Sequence, residues 1–283
     1  MDYEIKSIIT LGKNTLINYP PAEAQQLMYI LIQDLLHISR TTILAYPDTK
    51  ISNSDYNQII QAIERLKKNE PIQYILKKAE FYDLEFEVNQ TVLIPRPETE
   101  ELVSWIILEN NKQKSKILDI GTGSGCIAIS LAKNILGSKV FAIDISNEAL
   151  RVASNNARRN LANVEFLNMN ILSAKNENIP DLLDVIVSNP PYVTFAQKEV
   201  MHKNVTEFEP DLALYVEDTD PLVFYREIAK IALLKLSAEG KLYFEINEDY
   251  SAELKSMLIE VGFSMVDVRK DINGKYRMIK AER

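Results

Sequence analysis

Residues 116–126 read Lys-Ile-Leu-Asp-Ile-Gly-Thr-Gly-Ser-Gly-Cys, and this stretch decides how the rest of the chain is read. Only 8 of the 283 residues are glycine, yet Gly121, Gly123 and Gly125 alternate within it. They follow an apolar run, Lys116–Ile120, that reads as a strand, and a helical pattern starts at Cys126. Glycine is concentrated where the backbone must turn sharply or approach a ligand closely. The Gly-x-Gly-x-Gly spacing departs from the G-x-G-x-x-G of dinucleotide sites, where a pyrophosphate sits on the helix N-terminus. It suits a nucleoside whose tail is an amino acid. Asp144 falls at the end of the next strand, where an acid accepts hydrogen bonds from both ribose hydroxyls.

Outward from this turn, strands and helices alternate. The pattern predicts helix 98–110, strand 116–120, strand 140–143, helix 147–160 capped by Ser146, and strands 164–167 and 184–187. Helix 221–236 is expected to open with Pro221 at its first position, as helix starts favour. Strand 242–246, helix 250–261 ended by Gly262, and a hairpin of 264–270 with 276–281 close the chain. Alternating β and α implies an α/β fold, a mostly parallel, doubly wound sheet that binds ligands at the carboxyl ends of its strands. The first seventy or so residues read as a small helical bundle without strands. Leu27, Leu31, Leu35 and Ile38 share one helical face, and Tyr56, Ile59, Ile60, Ile63 and Leu66 share another, with Ser54 placed as its cap. Residues 79–95 alternate apolar and polar and read as a hairpin-like connector.

Composition excludes several classes. The length suggests about two domains of ordinary globular composition. No run approaches the roughly 18 apolar residues of a membrane span, and Met1–Thr10 lacks the features of a signal peptide, so the cytoplasm is the expected compartment. One cysteine, Cys126, and two histidines, His37 and His202, leave no zinc cluster to expect and no metal site. The net charge of −8, with only short basic pairs such as Lys67-Lys68 and Arg158-Arg159, disfavours nucleic-acid binding.

A second constellation carries chemistry. Asn189-Pro190-Pro191-Tyr192 directly follows the strand 184–187. A planar amide or aromatic amine is a poor nucleophile because its lone pair is delocalised. The Asn189 side-chain carbonyl and the Pro190 backbone carbonyl can both accept its N–H bonds, which orients the nitrogen and favours its pyramidal form. The prolines hold that geometry in advance, and Tyr192 can stack on a flat group. The pattern points to methylation of a planar amino group.

Gly121–Gly125 with Asp144 resembles the S-adenosylmethionine site of class I methyltransferases, and Asn189–Tyr192 resembles their amino-methylating subgroup. More narrowly, the chain resembles the PrmC/HemK family of protein-(glutamine-N5) methyltransferases that modify bacterial peptide chain release factors. Glu70–Tyr74 (EPIQY), Ile94–Glu100 (IPRPETE), Phe208-Glu209-Pro210 with Ala213-Leu214, and Asp271–Arg277 (DINGKYR) carry the narrower likeness.

The resemblance implies a Rossmann-like class I methyltransferase with a C-terminal antiparallel hairpin and an N-terminal helical bundle. The expected division is a helical substrate-recognition domain at 1–75, the connector at 76–95 and the methyltransferase domain at 96–283. S-Adenosylmethionine would be the cofactor and S-adenosylhomocysteine the product. Gly121, Thr122, Gly123, Ser124 and Gly125 would line its methionine part, and Asp144 would hold the ribose. Asn170 and Ile171 would stand beside the adenine, where relatives commonly carry an acid and an aromatic; Ile171 offers no aromatic stacking. Asn189 would be the catalytic residue, touching cofactor and substrate, with Pro190, Pro191 and Tyr192 binding the substrate. The partner would be a class I release factor presenting the glutamine of a Gly-Gly-Gln loop.

Two alternatives share parts of this pattern: a DNA adenine-N6 or cytosine-N4 methyltransferase, whose base would be flipped out, and a non-enzymatic S-adenosylmethionine-binding regulator. Cys126 and Trp105 read as packing residues, and neither histidine has an acid partner at readable spacing. Arg96 and Glu98 either shape the substrate entrance or belong to a proline-rich junction.

Overall fold

A computed structural model describes residues 3–110, 114–174 and 176–283. The chain divides into two compact units. The smaller takes in the chain up to Lys77 together with His202–Phe208, and the larger takes in Lys78–Met201 and Glu209–Arg283. The stretch expected to be a connector therefore begins the larger unit. Lys78–Phe81 and Leu84–Glu87 form its hairpin, while 88–95 runs on without regular structure.

In the smaller unit, helices Ile5–Thr15, Pro21–Leu36, Arg40–Ala45, Asn53–Leu66 and Ile72–Leu76 enclose a core that includes Met28, Leu31, Ile32, Ile59 and Ile63. The second helix buries Ala24, Met28, Leu31 and Ile32, with Leu27 and Leu35 only half-buried. Ile38 lies beyond its end, because His37 stops the helix in the left-handed conformation at φ 54°. A two-residue strand pair, Tyr3-Glu4 with Lys50-Ile51, was not apparent in the sequence. Ser52 rather than Ser54 caps the fourth helix, its hydroxyl accepting the Asp55 N–H at 3.1 Å.

The larger unit is built on one seven-stranded sheet. Its strands are β1 (Lys116–Ile120), β2 (Lys139–Asp144), β3 (Val164–Asn168), β4 (Leu183–Ser188), β5 (Leu236–Glu245), β6 (Met265–Lys270) and β7 (Tyr276–Glu282). The order is β6-β7-β5-β4-β1-β2-β3, parallel except for the antiparallel β6–β7 hairpin against β5. Helices α1 (Pro97–Glu109), α2 (Cys126–Asn134) and α3 (Asn147–Arg159) cover one face with Ile117, Val140 and Val185. Helices α4 (Val223–Lys235) and α5 (Ser251–Val261) cover the other with Leu118, Phe141 and Ile186. Alternate residues of each central strand thus serve opposite cores, which explains their nearly continuous apolar runs.

Helix α4 starts at Val223, two residues later than expected. A turn in which the Val223 N–H donates to the Asp220 carbonyl holds Pro221 outside the helix, and Asp220 takes both terminal nitrogens of Arg226 at 2.7 and 3.0 Å. Buried Asn156 on α3 is a tie that hydrophobic patterning does not reveal. Its carboxamide donates to the carbonyls of Glu87 and Ser124, both at 2.9 Å, and accepts the Glu87 N–H.

The observed cap generates a stability prediction. Ser52→Ala should cost about 1 kcal/mol, the usual loss of a helix N-cap, whereas Ser54→Ala, inside the first turn, should be nearly neutral. Urea unfolding of both variants measures the difference, and equal losses would remove the special role of Ser52.

Candidate active site

Three neighbouring strands end in register. Ile120 pairs with Ser188 on one side and with Ile143 on the other, so Gly121, Asn189 and Asp144 leave the same edge of the sheet side by side. The Ser188 hydroxyl donates to the Ile120 carbonyl at 2.6 Å, tying the base of one loop to the next.

Gly121 and Gly123 adopt φ of 74° and 54°, and a Cβ built on either meets nothing within 4 Å. Both therefore border open space. Gly125 differs: its Cβ would meet Ile129 Cδ1 at 3.0 Å and Ala153 Cβ at 3.1 Å. It lies outside the cavity wall and lets α2 pack closely on α3, which corrects the expectation that all five residues of the loop face the ligand. The N–H groups of Gly121 and Thr122 both donate to the Ile143 carbonyl, and that of Gly125 to the Thr122 carbonyl.

Asp144 is held by backbone. Its Oδ2 accepts the Gly123 N–H at 2.8 Å and its Oδ1 the Ser146 N–H at 2.9 Å. Each oxygen keeps a lone pair for a hydroxyl donor. Burial raises its pKa, and the backbone N–H bonds oppose that rise. Asp119 is fully buried beneath the loop, where its Oδ2 accepts the Thr122 hydroxyl at 2.6 Å, and burial pushes it up to about 7.

A cavity of about 430 Å³ opens on these groups. Its wall includes Gly121–Ser124, Asp144-Ile145, Met169–Leu172 and Asn189–Pro191. Asn170 Oδ1 accepts the Leu172 N–H, which leaves its amide donors available, and Ile171 adds an apolar surface. The wall thus combines a bare glycine cradle, a carboxylate with spare acceptor capacity and an apolar slot with one amide. That set fits an amino acid joined to a ribose and a purine. Half-buried Asn189 lies on the same wall, and no described residue hydrogen-bonds its carboxamide. Tyr192 lies outside the wall; its hydroxyl donates to Glu245 Oε1 at 3.3 Å and its ring packs against the core, so stacking on a substrate in the cavity does not fit this position.

The opposite wall was largely missed by sequence reasoning. Residues Gln90–Arg96 and Thr99 form much of it, with Pro210, Leu212 and Ala213. Arg96 is a wall residue and Glu98 is not. Arg96 donates to buried Glu209, whose second oxygen accepts the Ile94 N–H at 3.3 Å. The quoted IPRPETE and Phe208-Glu209-Pro210 stretches were the available signal. Cys126 also reaches the wall, but burial pushes its thiol up to about 12, which makes it a poor nucleophile. Trp105 is a core residue, edge-on to Tyr243. His37 is exposed just past a helix end and His202 precedes the short helix Lys203–Thr206; neither lines the cavity.

Comparison with known proteins places this geometry. Residues 99–210 match the methyltransferase small domain, and residues 8–76 match the PrmC N-terminal domain. The release factor glutamine methyltransferase of Flavobacterium psychrophilum is 48% identical, over 91% of this chain and 91% of that protein. Its counterpart from Bacteroides thetaiotaomicron is 46% identical over 94% and 95%. The chain belongs to the release factor glutamine methyltransferase family. Two solved structures share its fold. A methyltransferase from Pyrococcus furiosus has a TM-score of 0.51 and 20% identity, covering 81% of this chain and 98% of that one. The ribosomal protein L11 methylase of Lactobacillus delbrueckii subsp. bulgaricus has a TM-score of 0.50 and 18% identity, covering 68% and 81%. Membership in this family makes the chain a methyltransferase of the S-adenosylmethionine-dependent class I fold. Among the described residues there is no group of three or more His, Cys, Asp or Glu able to hold a metal ion, and no helix long and apolar enough to cross a membrane.

The buried acid beneath the glycine loop generates a pH prediction. With Asp119 raised to about 7, its protonated form favours the fold, and this contribution falls as pH rises from about 4, the unfolded value, through 7. Asp119→Asn keeps an acceptor for Thr122 and cannot ionise. Its stability relative to wild type should therefore increase between pH 5 and pH 8 in chemical denaturation. An offset that does not vary with pH would remove ionisation of Asp119 as the cause.

Proposed function

We propose that the chain transfers a methyl group to the side-chain amide nitrogen (N5) of the glutamine in the Gly-Gly-Gln sequence of class I peptide chain release factors. One juxtaposition carries the reading: Asn189 and Gly121 leave adjacent, in-register strand ends and line one cavity. The names of relatives at up to 48% identity support the choice of glutamine over a DNA base, as does the net charge of −8.

S-Adenosylmethionine, when bound, supplies the methyl group on a positively charged sulfur and leaves as S-adenosylhomocysteine. Gly121, Thr122, Gly123 and Ser124 hold its amino-acid part, Asp144 its ribose, and Asn170 and Ile171 its adenine. The Asn189 carboxamide oxygen and the Pro190 carbonyl accept the two N–H bonds of the substrate amide and turn its lone pair out of conjugation. As the nitrogen gains its N–CH3 bond and the S–CH3 bond breaks, one N–H proton leaves to solvent or a carbonyl. Pro190 and Pro191 fix those acceptors beforehand, so little reorganisation is needed during reaction. The helical unit contributes to recognition of the protein partner.

Incubation with radiolabelled S-adenosylmethionine and separate release-factor, DNA and ribosomal RNA substrates tests the reading. Label should appear in the release factor alone. Label in DNA would establish the base-methylating alternative, and cofactor binding without turnover the regulatory one.

Two substitutions separate binding from chemistry. Asp144→Ala should weaken cofactor binding by about 1.5–3 kcal/mol, the scale of hydrogen bonds to a charged group, as read by calorimetry. Asn189→Ala should lower kcat by roughly a hundredfold, the scale for losing one preorganised hydrogen-bonding group, while cofactor affinity changes little. Single-turnover rates on one release factor measure this, and a wild-type rate would show that the Asn189 loop is not the reacting site.

A further inference from the structure

Behind the Asn189–Tyr192 loop, outside the cavity wall, sits a buried carboxylate that the mechanism above does not use. Glu245 ends β5 and is 1% exposed. Its Oε2 accepts the Thr99 hydroxyl at 2.5 Å and its Oε1 accepts the Tyr192 hydroxyl at 3.3 Å. Its backbone carbonyl accepts the Tyr225 hydroxyl at 3.1 Å, which anchors the strand end to α4. Two residues on, Asn247 donates to the Tyr192 backbone carbonyl at 3.5 Å. One side chain therefore joins β5 to α1 and to the residue that closes the Asn-Pro-Pro-Tyr loop.

The choice of glutamate here is costly. A buried carboxylate loses its hydration, and no described lysine or arginine lies within ion-pair distance of Glu245. Two hydroxyl donors from different elements, with the charge of Arg277 beyond ion-pair distance, are what it receives in return. A carboxylate is acceptor-only on both oxygens, so it fixes the direction of both hydroxyls. An amide would present an acceptor to one and a donor to the other.

We propose that Glu245 is a positioning residue for methyl transfer. By receiving the Tyr192 and Thr99 hydroxyls together, it sets the angle at which the Asn189 and Pro190 carbonyls face the cavity. Pro190 and Pro191 separate Asn189 from Tyr192, so the stiff loop passes a displacement at Tyr192 back to the acceptors. Glu245 itself touches neither ligand. Its loss should lower the rate of reaction and leave binding nearly intact. This inference rests on the assignment of Asn189 made above.

Four variants of the full chain test it: Glu245→Gln, Tyr192→Phe, their double variant, and Asn189→Ala as reference. Glu245→Gln and Tyr192→Phe should each lower kcat by about tenfold, the scale for loosening a group that orients a reacting one. The KM for the release factor and the calorimetric Kd for S-adenosylmethionine should change less than about twofold, because no ligand contact is lost. The double variant should be no slower than the slower single variant, since both remove one contact. A wild-type kcat in Tyr192→Phe, which removes a single hydroxyl and tests the contact even where Glu245→Gln does not fold, overturns the proposal. So does a loss confined to Kd, KM or thermal midpoint. If Asn189→Ala alone retains the wild-type rate, the assignment of the reacting loop has failed; if it is slow while Tyr192→Phe and Glu245→Gln are not, only the role of Glu245 has.

Discussion

The register between β1 and its two neighbours is the constraint on which the rest of the site depends. Parallel strands all end on one edge, and here Ile120 and Ser188 end their strands level with Ile143, one residue before β2 ends at Asp144. The chain must leave the sheet at each of these points, so three loops of different chemistry start within one strand spacing of each other. The Ser188 hydroxyl on the Ile120 carbonyl, together with the Gly121 and Thr122 N–H groups on the Ile143 carbonyl, satisfies backbone groups that the ending ladder would leave unpaired. Slipping any of these strands by one residue would also turn its apolar side chains to the wrong core. The hydrophobic pattern that stabilises the fold is thus the same pattern that aligns the site.

Burial gives the site its electrostatic character. Asp144, Glu209, Glu245 and Asp119 all have their pKa raised from its ordinary value, and burial is the largest cause in each case. What opposes it differs: backbone N–H groups for Asp144, a guanidinium for Glu209, two hydroxyls and the charge of Arg277 for Glu245, and a hydroxyl with a backbone N–H for Asp119. Glu209 is paired directly with a cation, and that pair with Arg96 has a plain structural reading. It joins the irregular segment 90–96 to the segment that begins at Glu209, and both form the cavity wall opposite the glycine loop.

The long passage between β4 and α4 shows how far a loop can be built without long regular elements. It contains a short parallel pair, Val193-Thr194 with Tyr215-Val216, and several single-turn helical pieces. It leaves the cavity at Tyr192, contributes His202–Phe208 to the smaller unit, and returns to the cavity at Pro210. Beside the backbone bonds of its short turns, side chains cap its backbone: Gln197 accepts the Thr194 N–H and Asp218 the Ala196 N–H. None of these leaves a periodic trace.

What the sequence by itself determined follows from local rules. Strand and helix periodicity revealed the alternation of the larger unit, because buried strands and amphipathic helices repeat at fixed spacings. The glycine loop and the Asn-Pro-Pro-Tyr stretch were legible because each carries its chemistry within a few consecutive residues. Asp144 was legible because it ends the strand after the loop. Tertiary structure decided what depends on distant partners. Gly125 and Gly123 look alike in the sequence, and only the packing of Ala153 shows that one serves a helix contact while the other borders open space. The sequence pattern placed the cap at Ser54, and only the backbone at Asp55 selects Ser52. Glu245 reads as a charge at the end of an apolar strand, and its two hydroxyl donors come from residues 146 and 53 positions away. Hydrophobic burial follows a period and can be read from one segment; a buried polar group is defined by what completes its hydrogen bonds, and the fold alone brings those partners to it.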